Sequence, residues 1–247
     1  MIFAIRHGER IDDPSVTQKL PHSIISFDPP LSKNGKMQAK ATGDFLDNYI
    51  HYLEIITNRP KNITILTSPF LRCVQTAAQI SKKIKDFKKN RIYVCDEVCE
   101  ILKTKFYDRN VIPELLVKQS HEKEVKIREK INLKHKKLQK LICRQSKIHF
   151  PENIDQCCRR FKSAVIDIYS KFINSIDDVV IVVTHSIGMQ CILYNMEPER
   201  EIPQVKYCAI TQILYTKRNR IFDFNEGKLG IRNYRGHLEE EEESGVA

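Results

Sequence analysis

The sequence predicts an α/β fold, a mostly parallel sheet with helices on both faces and a helical cap inserted over it. Two observations lead there. Short apolar runs read as buried strands, and they alternate with longer stretches of helical spacing. Strands that alternate with helices imply parallel pairing, with both sheet faces covered. No internal repeat interrupts that order.

Each element follows from local residues. Met1 to Ile5 is an apolar strand that ends in Arg6-His7-Gly8. Residues 11–32 lack periodicity and contain Pro14, Pro21, Pro29 and Pro30, so they read as a loop. Ser32 is placed to cap a helix over Lys33 to Asn58, with Met37, Ala41, Phe45, Tyr49 and Tyr52 near helical spacing, and Arg59-Pro60 stops it. Ile63 to Thr67 is the second strand. Ser68-Pro69 opens the next helix as cap and first-turn proline. Arg91 to Cys95 is a third strand. A basic amphipathic helix is expected over 121–144, and another from Ile154 to Ile173. Asp178 introduces the most apolar strand, Val179 to Val183, which ends in Thr184-His185, with a helix from about Gly188. Tyr207 to Thr216 and Arg220 to Phe224 read as a hairpin.

Totals narrow the class. The 247 residues include only 8 glycines and 10 prolines, and no linker-like stretch, which favours one domain over 1–237. An acidic tail follows over 238–247, and the helical cap spans about 103–150. The eight cysteines lack framework or zinc-finger spacing, so they read as core thiols of a reducing, cytoplasmic setting. Met1 leads straight into the strand with no basic leader, and no apolar run approaches the ~20 residues of a membrane span. Net charge is +10. Residues 118–147 carry eleven Lys or Arg against three Glu, a surplus of +8. That segment reads either as a cap that recruits anionic substrates or as a solvated lysine-rich face. No recognition motif supports specific nucleic-acid binding, and the oligomeric state stays open, a homodimer included.

In such sheets ligands bind beyond the carboxyl ends of the strands. Three ends carry notable groups: Arg6-His7 after the first strand, Arg72 soon after the second, and His185 after the last apolar one. A single histidine is most often a surface or satisfied core residue, but three coincident strand ends point to a site. Paired arginines match phosphate oxygens bidentately, and a histidine among them can serve as nucleophile, base or anion-binding cation. The set is poor for a metal, which the guanidiniums would repel, so no metal and no cofactor are expected.

Arg6-His7-Gly8-Glu9-Arg10 resembles the opening motif of the histidine phosphatase superfamily, whose members include phosphoglycerate mutases and many phosphatases. Asp28-Pro29-Pro30-Leu31-Ser32, Ser68-Pro69-Phe70-Leu71-Arg72-Cys73 and Val182-Val183-Thr184-His185 resemble its later landmarks, in the same order. The likeness covers about residues 1–225 and implies a phosphoglycerate mutase-like fold. The double proline, the run from Leu71 to Ala77 and Tyr207-Cys208 are similar to the suppressors of T-cell receptor signalling. Mutases typically carry Ser or Thr where Glu9 stands, which favours a phosphatase.

The resemblance implies a metal-independent phosphomonoesterase acting on a phosphoprotein or small phosphorylated metabolite through a phosphohistidine. His7 is the implied nucleophile, while Arg6, Arg10, Arg72 and His185 hold the phosphate oxygens. Glu100 is the implied proton donor, with Glu97 and Asp96 as rivals. Ser186 departs from the usual Gly or Ala, and Asp12-Asp13 places two negative charges near the pocket. The competing expectations are a phospho-ligand binding module with weak catalysis and, less favoured, a mutase.

Overall fold

The computed structural model describes residues 1–16, 27–85, 92–115, 148–214 and 227–241. Strand β1 (Ile2–Arg6) leads to helix α1 (Lys33–Thr57), β2 (Asn62–Thr67), α2 (Leu71–Lys83) and β3 (Ile92–Val94). A 3-10 turn (Asp96–Val98) and the short α3 (Ile112–Leu115) precede α4 (Ile154–Phe172), β4 (Asp178–Thr184) and α5 (Ser186–Met196). Strands β5 (Ile210–Leu214) and β6 (Lys228–Tyr234) follow, then a second 3-10 turn (Gly236–Glu241).

The six strands form one sheet in the order β3-β2-β4-β1-β5-β6. The first four are parallel, and β5 and β6 run antiparallel at the far edge. This is the mostly parallel sheet that the sequence predicts. Successive residues of β4 serve opposite faces, as the strand period of two requires. Val179, Ile181 and Val183 pack with Phe3, Ile5, Leu46, Ile50, Cys73, Ala77 and Ile80, beneath α1 and α2. Val180 and Val182 pack with Phe161, Val165 and Ile168 of α4 and with Met189 and Ile192 of α5. An apolar side chain buried this fully contributes roughly 1.5–3 kcal/mol.

Helix starts and stops follow the local chemistry with one exception. Ser32 Oγ accepts from Gly35 N at 2.8 Å and caps α1, while Asn58 ends it in the left-handed conformation at φ 49°. Asn153 and Gln156 form a reciprocal capping box at α4. Ser68, expected to cap α2, does not: the helix begins at Leu71, and its first amide donates to Asp28 Oδ1 at 2.6 Å. The cap comes from the loop before α1, which frees the Ser68 hydroxyl for another partner.

The partner of β5 is also a correction, since the strand bonded to it is Lys228–Tyr234. The expected arm over 220–224 lies outside the described residues, as do the basic helix over 121–144 and most of the acidic tail. What is described of the insertion is its base. Tyr107, Val111, Ile112 and Leu115 pack with Phe70, Cys99 and Leu102, with Ile148 and Phe150 against them.

Candidate active site

Ladder register assembles the site. Arg6 of β1 pairs with Thr184 of β4, so the residues that follow, His7 and His185, leave neighbouring strands at the same level. His7 N donates to Thr184 O at 2.9 Å, and on the other side Ser68 N donates to Val183 O at 2.9 Å. The three strand ends singled out from sequence therefore meet, and Arg72 joins them from the first turn of α2. Gly8 is needed for this closure, because a Cβ there would stand 2.4 Å from Gly35 O at the start of α1.

His7 is 2% exposed, and its Nδ1 lies 2.8 Å from Gly8 O. A carbonyl can only accept, so Nδ1 carries the proton and Nε2 presents its lone pair. That lone pair accepts from Arg72 Nε at 3.2 Å. Burial first, then the charges of Arg72, His185 and Arg6, push the imidazole well below its ordinary pKa. His7 is thereby held neutral, with a bare nitrogen facing a guanidinium.

Arg72, itself 2% exposed, links the other groups. Its Nη2 donates to His185 Nδ1 at 3.1 Å and to Glu100 Oε2 at 3.4 Å, while Nη1 has no hydrogen-bond partner among the described residues. Ser68 Oγ and His185 Nε2 are 2.7 Å apart, which is where the hydroxyl that does not cap α2 is used. Burial lowers His185 to about 4, with Glu100 opposing and Arg72 adding. Partial burial would raise Glu100, but His185, Arg72 and the Ile101 amide outweigh it and hold the carboxyl at about 2.

Arg6 donates to Val205 O at 2.7 Å and lies under the Tyr207 ring at 3.9 Å, a cation–π contact that fixes its plane. Its buried Nε has no partner among the described residues. Unpaired buried donors on both Arg6 and Arg72 are costly unless an acceptor arrives. Arg10 differs, since its guanidinium is engaged by both carboxylate oxygens of Asp12, and that hydrogen bonding raises its pKa. The two acidic residues near the pocket thus have defined places: Asp12 takes Arg10, and Asp13 accepts from the Tyr207 hydroxyl.

Of these groups Arg10, Arg72 and Glu100, together with Ser186, line a cavity of about 390 Å³, whereas Arg6, His7 and His185 are not among its lining residues. Phe27, Pro29, Ile101, Phe106, Tyr107 and Ile187 supply apolar surface to its other walls, with Lys103 and Gln190 beside them. Of the three carboxylates weighed as donor, Glu100 alone lines it. The Glu97 side chain is buried and accepts from Cys95 Sγ at 3.3 Å. Glu9 accepts from Asn34 Nδ2 at 3.1 Å and from Ser32 Oγ, which anchors it to the start of α1. Among the described residues no group of three or more His, Cys, Asp or Glu is arranged to hold a metal ion.

Two contributors, Ser68 and Tyr207, were missed or misassigned from sequence, as was Arg160, which lies outside the cavity and donates to the main chain of residues 97–100. Ser68 looks like a helix cap until β4 is beside it. Tyr207 gives no local sign that it will cover Arg6. Arg160 did leave a signal, as a charged residue in phase with the apolar stripe of Cys157, Phe161, Ala164 and Ile168 on α4.

Residues 2–110 match the histidine phosphatase superfamily (branch 1). The chain is 30% identical over 128 residues to the mouse ubiquitin-associated and SH3 domain-containing protein A, a stretch covering 41% of this chain and 19% of the mouse protein. Among solved structures it is similar to the ecdysone phosphate phosphatase of the silk moth Bombix mori, at 18% identity and TM-score 0.56, covering 86% of this chain and 88% of that one. It is also similar to the phosphoserine phosphatase of Entamoeba histolytica, at 16% identity and TM-score 0.55, covering 96% and 98% respectively. At these identities the two structures show a shared fold.

Proposed function

We propose that this chain, whose residues 2–110 match the histidine phosphatase superfamily (branch 1), is a phosphoric monoester hydrolase that cleaves phosphomonoesters without a metal, through a phosphohistidine on His7. The observation that carries this reading is the pairing of a neutral, Nδ1-protonated His7 with two guanidiniums, those of Arg6 and Arg72, that each keep one buried, unused donor. A phosphoryl group would satisfy both arginines at once and place phosphorus against the Nε2 lone pair. The two structural neighbours are phosphatases of ecdysone phosphate and of phosphoserine, which supports this class of substrate.

In the first step the Nε2 lone pair of His7 forms the N–P bond as the P–O bond to the leaving group breaks. Arg6, Arg72 and His185 take up the equatorial oxygens, whose charge grows in the transition state. Glu100 supplies a proton to the leaving oxygen. His185 and Arg72 hold its carboxyl low, but a bound phosphate dianion offsets those positive groups and raises its proton affinity. In the second step the Glu100 carboxylate takes a proton from water, the hydroxyl oxygen attacks phosphorus, and the N–P bond breaks to return the lone pair to His7.

Arg10 joins phosphate binding only by exchanging Asp12 for substrate oxygens. Residues 1–237 act as one phosphatase domain, with the insertion at about 103–150 as its cap. The test is chemical trapping. Acid quenching during turnover should leave acid-labile phosphate on His7, and His7→Ala should lose at least about 10³-fold in turnover with the fold intact. Near-native activity in His7→Ala would overturn the mechanism.

A further inference from the structure

Arg160 is 7% exposed and stands outside the cavity, on the face of α4 that otherwise packs Cys157, Phe161, Ala164 and Ile168. Its guanidinium meets Glu152 in a two-pronged pair, Nε to Oε1 at 2.8 Å and Nη2 to Oε2 at 2.7 Å. The donors left over point chiefly at one stretch of main chain, with Nη2 also 3.5 Å from Cys157 Sγ. Nη1 donates to Glu97 O at 2.6 Å and Cys99 O at 3.2 Å, and Nη2 to Glu100 O at 3.4 Å. Two neighbours complete the hold: Thr184 Oγ1 donates to Val98 O at 2.7 Å, and Glu152 N donates to Leu102 O at 2.9 Å.

A buried ion pair is weak as a stabilising device, because desolvation offsets most of its attraction and apolar replacements often do as well. Directional control of a short loop is a better account of this one. The segment 97–100 has little regular structure to fix it, and its buried carbonyls need donors from elsewhere. One planar guanidinium reaches three of them and is itself oriented by Glu152. At the end of that segment the Glu100 carboxylate stands 3.3 Å from His185 Nδ1 and 3.4 Å from Arg72 Nη2.

We propose that Arg160, oriented by Glu152, is a positioning residue that fixes where the Glu100 carboxylate stands against the leaving oxygen. The inference rests on the reading of Glu100 as proton donor. Proton transfer depends steeply on placement, and a displacement of about 1 Å can cost on the order of 10²-fold.

The experiment compares Arg160→Lys, Glu152→Gln and Glu100→Gln in the full chain. Substrates are phosphoserine, an alkyl phosphate whose leaving group needs a proton, and para-nitrophenyl phosphate, whose leaving group departs as an anion. Arg160→Lys should lower kcat/KM, which reports the steps up to departure of the leaving group and leaves out the shared hydrolysis of the phosphohistidine, by roughly 10–100-fold for phosphoserine and less than about threefold for the aryl ester. Adding Glu100→Gln to it should cause little further loss, because both changes remove one function. Glu152→Gln keeps an acceptor in place and should show the same selectivity in weaker form, which serves if Arg160→Lys does not fold. Equal losses on both substrates in the folded variants, or fully additive losses in the double variant, would reduce Arg160 to a structural role. If Glu100→Gln itself lacks the selectivity, the donor assignment fails instead, and the two failures are told apart.

Discussion

Arg72 Nε lies 3.2 Å from Nε2 of His7, so the imidazole is both hydrogen-bonded and held neutral by one positive group. Burial is the largest cause of the lowered pKa, and Arg72 is the largest charge acting with it. The His7 ring should therefore not titrate near the ordinary value of about 6.5. In an NMR titration its carbon-bound protons should stay at the neutral shift as pH falls through that value. In Arg72→Gln the lost positive charge should move the titration upward. A His7 that titrates near 6.5 in the native chain would contradict the electrostatics described here.

The choice of proton donor is open to a direct comparison. Glu97 is packed against Cys95 and holds no place in the cavity, whereas Glu100 lines it. Glu97→Gln should leave the ratio of alkyl to aryl phosphate turnover unchanged, even if stability falls. A selective loss on alkyl phosphates, on the order of the 10²–10⁴-fold given by acid catalysis, would move the assignment to Glu97.

Asp12 holds the Arg10 guanidinium that phosphate would need. Asp12→Asn should weaken that hold and remove a negative charge beside the pocket. Inhibition by vanadate should then tighten by roughly 3–10-fold, as expected for a charge pair worth about 1 kcal/mol at a part-exposed site. Unchanged inhibition would mean that Arg10 takes no part in phosphate binding.

His237 gives a prediction about stability. Its Nε2 is 3.0 Å from Thr42 Oγ1, its ring stacks on Phe45, and burial followed by the Arg235 charge lowers it to about 4. A histidine depressed in the folded state stays neutral between that value and about 6.5, while the unfolded chain takes up a proton. Its contribution is full above 6.5 and is lost as pH falls toward 4. Between pH 7 and 5 the native chain should lose stability through this group, by about 1 kcal/mol at most once solvent screening of the partly exposed ring is allowed for, measured by urea unfolding. His237→Asn should shrink the pH-dependent part of the loss, whatever it does to stability at pH 7.

What could be read from the sequence was what local spacing encodes. The apolar runs gave β1, β2 and β4, and Ser32 marked the start of α1 where the structure has it. Strand β6 escaped notice because its edge position leaves it half-exposed, without an apolar run to mark it. The converging strand ends were legible, since each carries its histidine or arginine in sequence. What those groups bond to was not. Ser68 to His185 spans 117 residues and Arg160 to Cys99 spans 61, so neither pairing has a local signature.

The sheet order also bears on how the chain folds. β1 is flanked by β4 and β5, whose paired residues lie far along the chain, Ile2 beside Val180 and Ile213. Its four apolar residues from Ile2 to Ile5 are fully buried only once both partners are in place. Contacts so distant in sequence slow folding, because the loop must close before they are formed. Helical signal should therefore recover early in refolding, with phosphatase activity following only when β1 docks and brings His7 beside His185. Until then β1 is an apolar strand with both edges open, a segment liable to mispair.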